Sequence, residues 1–381
     1  MDRPVRILHA HSTFALGGKE ARAVRLMNAF AAAAEHTVLS ASPGQLSARE
    51  AISPAVKVAF PEDGPVLADV PRPGRLFRLS RYMRRFDLVL SYNWGAMDAV
   101  MARRLFGGPP LVHHEDGFNE DEAERRHPRR NLYRRMGLAG AHRLVVPSER
   151  LETIARSEWR QKARKIVRIA NGVPVHLYAA MPGEGAIPGL AADPEEIVVG
   201  TVAGLRAVKN LPRLVRAFAA MHMKKARLVI VGAGPESERI AAEARRCGIA
   251  DRLHMPGFLA DPRRWIGSFD IFALSSDSEQ APISLLEAMA AGLPCVSTAV
   301  GDVPGMVSAD NRPLIVERED EAAFAAALDT LAERTDLRRA IGLANREKAA
   351  AQFDEREMIA RYAALYGEAI RRPQAFIPDA S

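Results

Sequence analysis

Apolar residues along this chain fall into two rhythms that alternate. One consists of short, nearly continuous runs rich in Val, Ile and Leu: VRILHAH (5–11), LVLSYNW (88–94), PLVHHED (110–116) and RLVVPSE (143–149). The other spaces its apolar positions at the helical period; after the first run, Ala23, Met27, Phe30 and Ala34 fall on one face. The alternation predicts βαβ units and hence a parallel sheet. From Ala179 the rhythm lapses into AAMPGEGAIPGLAADPEE, which reads as an interdomain linker by its Gly, Pro and Ala content. A second series follows: IVVGTVA (197–203), RLVIVGA (227–233), RLHMPGF (252–258), IFALSS (271–276) and PCVSTAV (294–300). The fold class expected is therefore α/β, with two doubly wound Rossmann-like domains at 1–180 and 190–354. EREMIARYAALYGEAIRR (355–372) reads as a closing helix with Met358, Tyr362, Leu365 and Ala369 on one face.

Composition changes this picture little. A chain of 381 residues exceeds what one compact core usually serves, and 48% hydrophobic with 26% charged residues is ordinary for a globular protein. The formal net charge of +7, carried mostly by arginine, favours anionic partners. Cys247 and Cys295 offer neither a disulfide framework nor metal-ligand spacing, which fits a reducing cytoplasm. The opening MDRPVRILHAHSTF has too short an apolar run for a signal peptide, and no stretch approaches about 18 unbroken apolar residues, so a cytoplasmic location is expected. Arginine concentrates in 71–87 and 124–137. Arg75, Arg78, Arg81 and Arg85, beside Leu76, Phe77, Leu79 and Met83, could form a basic strip resting on an anionic membrane face; a solvated basic face is the equal alternative. No nucleic-acid module accompanies these arginines, so nucleic acid is not an expected partner.

Doubly wound sheets hold ligands at the carboxyl ends of their strands, and two such domains facing each other imply a cleft. The candidate chemistry clusters at those ends. VGAGPESE offers Gly232 and Gly234 of a dinucleotide fingerprint, but Ser237 stands where the third glycine belongs, so a nicotinamide cofactor is not expected. In SSDSEQAPISLLEAMAAGLP (275–294), Pro282 suits the first position of a helix of about three turns ended by Gly292 and Pro294. Ala281, just before it, cannot cap through its side chain, which leaves the amides of Ile283 and Ser284 open to an anion at the positive end of the helix dipole. Glu279 and Glu287 read as two separate contacts along an extended polar ligand; alternatively Glu279 complements the dipole and Glu287 is solvated. Gly17 and Gly18, in HSTFALGGKEARAV, would let backbone approach a ligand at another helix start, or form a plain tight turn with Glu20 as helix support.

The stretch EQAPISLLEAMAAGLPCVSTAVGDVPGMV resembles the E-x7-E signature of retaining GT-B glycosyltransferases, the glycogen-synthase-like group or family 4. FALGGKEARAV, VVPSE (145–149), IANGVP (169–174), LRAVKNLPRLVRAF (205–218) and IVGAGPE (230–236) fall in that family's order and spacing. The resemblance implies an enzyme that moves a sugar from a nucleoside-diphosphate donor to a hydroxyl acceptor, often glycan or lipid-linked, with retained configuration. It also implies that Glu287 holds the ribose, Glu279 the transferred sugar, Ala281, Pro282, Ile283 and Ser284 sugar and phosphate, and Arg206 with Lys209 the diphosphate. The Gly17–Gly18 loop would face donor and acceptor, and the closing helix would cross back to the first domain. No cofactor and no metal are implied: a D-x-D clamp is absent, although Asp277 precedes Glu279.

Two positions depart from the family. In AGLRAVK, Gly204 stands where its arginine belongs, and Arg206 would serve from two positions on. In PPLVHHEDGFNEDE, Asp116 stands where its histidine belongs. Alternation along a strand puts His114 on Asp116's side, so Asp116 and His114 are expected to line the cleft, with His113 packed in the core. The alternative to an enzyme is a sugar-nucleotide or glycan binding protein of the same fold.

Overall fold

The computed structural model describes residues 3–118, 120–122, 125–178, 182–183, 185–191, 193 and 195–376. It divides into two compact units: one runs to Asn171 and resumes at Glu357, and the other spans Gly172–Arg356.

The first unit is built on strands β1 (Val5–His11), β2 (Ala34–Ser40), β3 (Lys57–Ala59), β4 (Leu88–Tyr92), β5 (Leu111–His114), β6 (Arg143–Val146) and β7 (Ile166–Arg168). They pair in parallel in the order β3-β2-β1-β4-β5-β6-β7. The second unit holds β8 (Ile197–Val202), β9 (Ala226–Val231), β10 (Leu253–Gly257), β11 (Ile271–Leu274), β12 (Cys295–Thr298) and β13 (Ile315–Val316), also parallel, ordered β10-β9-β8-β11-β12-β13. Each order reverses once, between β1 and β4 and between β8 and β11. Loops leaving adjacent strands there turn to opposite faces, which opens a crevice at the carboxyl ends.

Both faces of each sheet are covered, and strand alternation divides the core accordingly. In the first unit Leu8, Val89 and Leu111 pack with the helix Met97–Phe106, whereas Ile7, Leu90 and Val112 pack on the opposite face. That second face is closed by Met358, Tyr362 and Tyr366 of the helix Glu355–Ala369. The first helix, Gly18–Ala29, divides its apolar positions between two clusters: Ala23 and Leu26 join Ile7, while Val24 and Met27 meet Phe14 and Val38. Ala34, expected on that helix, opens β2 instead.

Two expectations about segments need correction. Residues 179–181, 184, 192 and 194 of the expected linker lie outside the described residues. Its described part is not a free tether, because Ile187, only 2% exposed, packs with Val173, Val175 and Tyr178 in the second unit's core. The expected basic strip also loses a member. On the helix Pro73–Met83, Arg75 is buried: it pairs with Asp98 and donates to the carbonyls of Val66, Asp69 and Val70. Leu76, Leu79 and Met83 belong to the core, so Phe77 is the large apolar side chain exposed beside Arg78 and Arg81.

Candidate functional site

The second unit's switch point gathers most of the sequence candidates. The chain leaves β8 through Ala203–Arg206 and a single 3-10 turn, Ala207–Lys209; it leaves β11 through Ser275–Pro282 into the helix Ile283–Ala290. The two loops are bonded to each other at several points. Lys209 Nζ donates to Glu279 Oε1, and Ser276 Oγ donates to the same oxygen at 2.8 Å. Ser275 Oγ lies 3.1 Å from the carbonyls of both Lys209 and Asn210, and the Asp277 amide donates to the Val208 carbonyl at 2.8 Å. Asp277 is held by Arg213 Nη1 at 2.8 Å and by the Asn210 amide group at 3.1 Å. Asn210 sits in the left-handed region at φ 42° and caps the helix Leu211–Ala220 through its side chain.

Arg206 and Lys209 differ in setting. Lys209 is mostly enclosed, its side chain 16% exposed, whereas Arg206 is on the surface. Arg206 Nε lies 3.7 Å from where a Cβ on Gly204 would stand. The guanidinium arm thus folds back over Gly204, the position at which the family carries its own arginine. The glycines of VGAGPE find their reason in the same loop. A Cβ on Gly232 would fall 1.8 Å from the Ala203 carbonyl oxygen, and one on Gly234 would fall 2.4 Å from that of Leu205. They permit β9's loop to press against the loop that carries Arg206.

The helix after β11 begins one residue later than expected. Pro282 is its cap, with φ −67° and ψ 123° and no side-chain capping bond, and the helix has eight residues, little more than two turns. Pro282 is buried, while Ala281, Ile283 and Ser284 are half-buried at its start. Glu287 is 7% exposed, which removes the solvated reading. Gly301, at φ 56°, was not singled out from the sequence. A Cβ there would stand 2.4 Å from the Glu279 carbonyl oxygen, so this glycine lets the loop after β12 run along the backbone of Glu279 and Gln280.

In the first unit, the Gly17–Gly18 loop lies at the carboxyl end of β1. Gly17 caps the helix with extended backbone (φ −156°, ψ 179°), and both glycines are exposed. Glu20 does more than support the helix: its carboxylate is 3% exposed, pairs with Lys19, and approaches to 3.0 Å from where a Gly17 Cβ would stand. Burial pushes this carboxyl up despite Lys19.

Asp116 and His114 do not behave as a pair lining a surface. Asp116, beyond β5, is gripped by both terminal nitrogens of Arg22, with Nη2 to Oδ2 at 2.8 Å; Arg22 also reaches Asn171 Oδ1 at 3.0 Å and lies over the Tyr362 ring. Burial pushes the Asp116 carboxyl up, but Arg22 outweighs it and holds the group below its usual range. His114 is enclosed at 1% exposure, because the face it occupies is the one covered by Tyr362 and Tyr366. Its Nδ1 meets the Ser91 carbonyl at 3.2 Å and so carries the proton; its Nε2 accepts from the Tyr366 hydroxyl at 2.9 Å. Both nitrogens are engaged, and burial depresses the ring's pKa to about 3, so His114 is a core residue. His113 points to the other face and bonds Ser91 Oγ at 2.9 Å.

Known proteins match this chain in sequence and in fold. The model of Glycosyltransferase Family 4 matches residues 16–177, and that of Glycosyl transferases group 1 matches residues 186–348, so that between them they span most of the chain. The chain belongs to the group 1, family 4 glycosyltransferases. Among curated relatives, the N-acetyl-alpha-D-glucosaminyl L-malate synthase of Bacillus anthracis is 29% identical over 181 residues, 47% of each chain. The D-inositol 3-phosphate glycosyltransferase of Segniliparus rotundus is 29% identical over 284 residues, 68% of this chain and 61% of the relative. The chain spans about half the length of the first of these. Among solved structures, Anabaena HepE in complex with UDP superimposes with a TM-score of 0.77 at 19% identity, covering 95% of this chain and all of that one. A sucrose-phosphate synthase from Thermosynechococcus elongatus gives 0.77 at 21% identity, covering 96% and 99%. The fold of this glycosyltransferase family member is accordingly GT-B, two Rossmann-like domains. Among the described residues, no helix is long and apolar enough to cross a membrane.

Sequence reasoning missed Ser276, Asn210, Arg213 and Arg22, which hold the named carboxylates in place. Ser276 lies three positions before Glu279, but the partners of the other three are distant along the chain; Arg22 and Asp116 are 94 positions apart. No local pattern could have joined them.

Proposed function

We propose that this protein transfers a sugar from a nucleoside-diphosphate donor to a hydroxyl acceptor with retention of anomeric configuration. The observation that carries the reading is the meeting of Lys209, Glu279 and Ser276 at the switch point of the second sheet, with Arg206 on the same loop as Lys209. Breaking a glycosidic bond to a diphosphate builds negative charge on the leaving group, and fixed cations stabilise that charge as it grows. Lys209 and Arg206 are the cations placed for it, the start of the helix Ile283–Ala290 adds its positive dipole end, and Glu287 accepts from the ribose hydroxyls. A donor diphosphate would compete with Glu279 for the Lys209 ammonium, which frees the carboxylate for the hydroxyls of the transferred sugar.

UDP is the first base to test, since HepE has been solved with UDP and with UDP-glucose. The acceptor panel should hold L-malate and inositol 3-phosphate, after the curated relatives, beside lipid-linked and free glycans. No divalent metal is required in this proposal. Asp277 and Glu279, the carboxylates nearest to a metal clamp, are already matched by Arg213 and Lys209, and turnover unchanged in EDTA is the expected result. The decisive measurement is release of nucleoside diphosphate from UDP-, GDP- and ADP-sugars, with and without acceptor, and the anomeric configuration of the product by NMR. Donor binding without any release would identify a binding protein of this fold; an inverted product would overturn retention.

A further inference from the structure

The first unit contains a second candidate site, at the end of its sheet opposite to the Gly17–Gly18 loop. A cavity of about 980 Å³ lies against the amino-terminal ends of the central strands: Arg3 precedes β1, Asp87 precedes β4, Pro110 precedes β5 and Arg143 begins β6. Seven cationic side chains line it against two carboxylates. Both carboxylates are consumed locally. Asp87 takes a two-pronged contact from Arg3 at 2.7 and 2.8 Å, and Glu368 takes Arg143 at 2.5 Å.

Among the described residues of the lining, Arg103, Arg164, Lys165 and Arg371 have no carboxylate partner. Lys165 Nζ donates to the carbonyls of Ala139 and Ala141 at 2.6 and 2.9 Å, and Arg103 Nε donates to that of Pro109 at 2.8 Å. Those contacts orient the groups without neutralising them. Arg164 and Arg371 are exposed at the rim, and Arg371 adopts the left-handed conformation at φ 59°. His142 Nε2, in the lining, is buried without a hydrogen-bond partner and lies 3.7 Å from Glu368. Burial, and after it the neighbouring guanidiniums, hold the Lys165 ammonium below its usual range. Like charges are gathered here at a cost that the two carboxylates of the described lining do not offset.

The shape and lining narrow the ligand. The volume is in the range of pockets that take small organic molecules, well beyond a single phosphate. Guanidinium forks match phosphate oxygens two at a time. Among the described residues no Phe, Tyr or Trp lines the cavity, so it lacks the large aromatic platforms on which nucleic-acid bases stack most strongly. We propose that this cavity binds a ligand bearing two or more phosphate groups and no base, held by Arg103, Arg143, Arg164, Lys165 and Arg371. The ligand is either a free polyphosphorylated solute or a phosphorylated lipid headgroup. The site lies at the opposite end of the first unit's sheet from the Gly17–Gly18 loop and acts as an anchoring or regulatory site.

Tripolyphosphate is the probe. Calorimetry on the full chain should show saturable, salt-sensitive binding. The double variant Arg164→Gln/Arg371→Asn should weaken it about tenfold or more, and Arg164→Gln alone should weaken it in the same direction; asparagine tolerates the left-handed backbone at 371. Arg206→Ala, in the second unit, should leave this affinity unchanged. Binding that survives the double variant, or that Arg206→Ala abolishes, overturns the proposal. Vesicles of phosphatidylcholine with cardiolipin, whose headgroup bears two phosphates, distinguish the sources. Cosedimentation lost in the double variant assigns a headgroup; tripolyphosphate binding without cosedimentation assigns a free solute.

Discussion

Lys209 donates to Glu279 across the two loops that leave β8 and β11, and Ser276 holds the same carboxylate oxygen at 2.8 Å. A cation and a carboxylate with different tasks in the proposed reaction are therefore parked on one another, each keeping the other oriented. Their separate contributions should appear in separate kinetic parameters.

Lys209→Ala removes a charge whose partner grows as the bond breaks, so it should lower kcat about a hundredfold with a small change in donor KM. Glu287→Gln removes the proposed contacts to ribose, which would be equal in ground and transition states, so it should raise donor KM about tenfold and spare kcat. Steady-state kinetics of both variants decide the assignment. A Glu287→Gln variant with reduced kcat and unchanged KM would move Glu287 to the reacting sugar.

Arg206 reaches back over Gly204, and a Cβ at 204 would meet no backbone. Arg206→Ala should therefore reduce turnover, and Gly204→Arg in that background should restore it, because the second guanidinium would come from beneath the place the first occupied. The comparison needs kcat for wild type, single and double variants. If Gly204→Arg fails to rescue a folded Arg206→Ala protein, the two positions are not equivalent.

Gly301 lies at φ 56° with the Glu279 carbonyl oxygen 2.4 Å from its absent Cβ. Gly301→Ala must displace backbone or strain it, and the segment displaced carries Glu279. Activity should fall at least tenfold for a loss of stability of about 1–3 kcal/mol, since a small misplacement of reacting groups is costly. Gly305→Ala, where a Cβ meets nothing, is the control and should be active.

His9, His11, His36 and His114 are four of the five imidazoles buried in the first unit. Burial holds all four below the usual 6.5, with His36 at about 4 and His114 at about 3. The unfolded chain binds protons at these groups near 6.5 while the folded chain does not. Stability is thus present above 6.5 and is lost as pH falls towards about 4, at about 1.4 kcal/mol per pH unit for each group. The depressed Asp116 carboxyl acts in a lower window, below its usual 3.8. Denaturant midpoints at pH 7 and pH 5 test this; equal values would mean that the histidines titrate alike in both states.

The strands, their alternation with helices, the two Rossmann-like domains and the E-x7-E motif could be read from the chain, because each is written in neighbouring residues through local periodicity or fixed spacing. Periodicity states which face of an element is buried; it does not state what covers it. His114 was correctly placed on one face of β5, yet only the packing of Tyr362 and Tyr366 from the far end of the chain made that face interior. Arg75 looked like part of a surface strip until Asp98 and backbone carbonyls of the segment 66–70 enclosed it. Asp116 was expected to line the cleft beside His114, and only the fold brought Arg22 onto it; the basic cavity draws on residues 3, 103, 143, 164 and 371, which share no motif. Charge partners are chosen by reach in three dimensions, a few ångströms between side-chain tips, and a linear sequence carries no record of that distance.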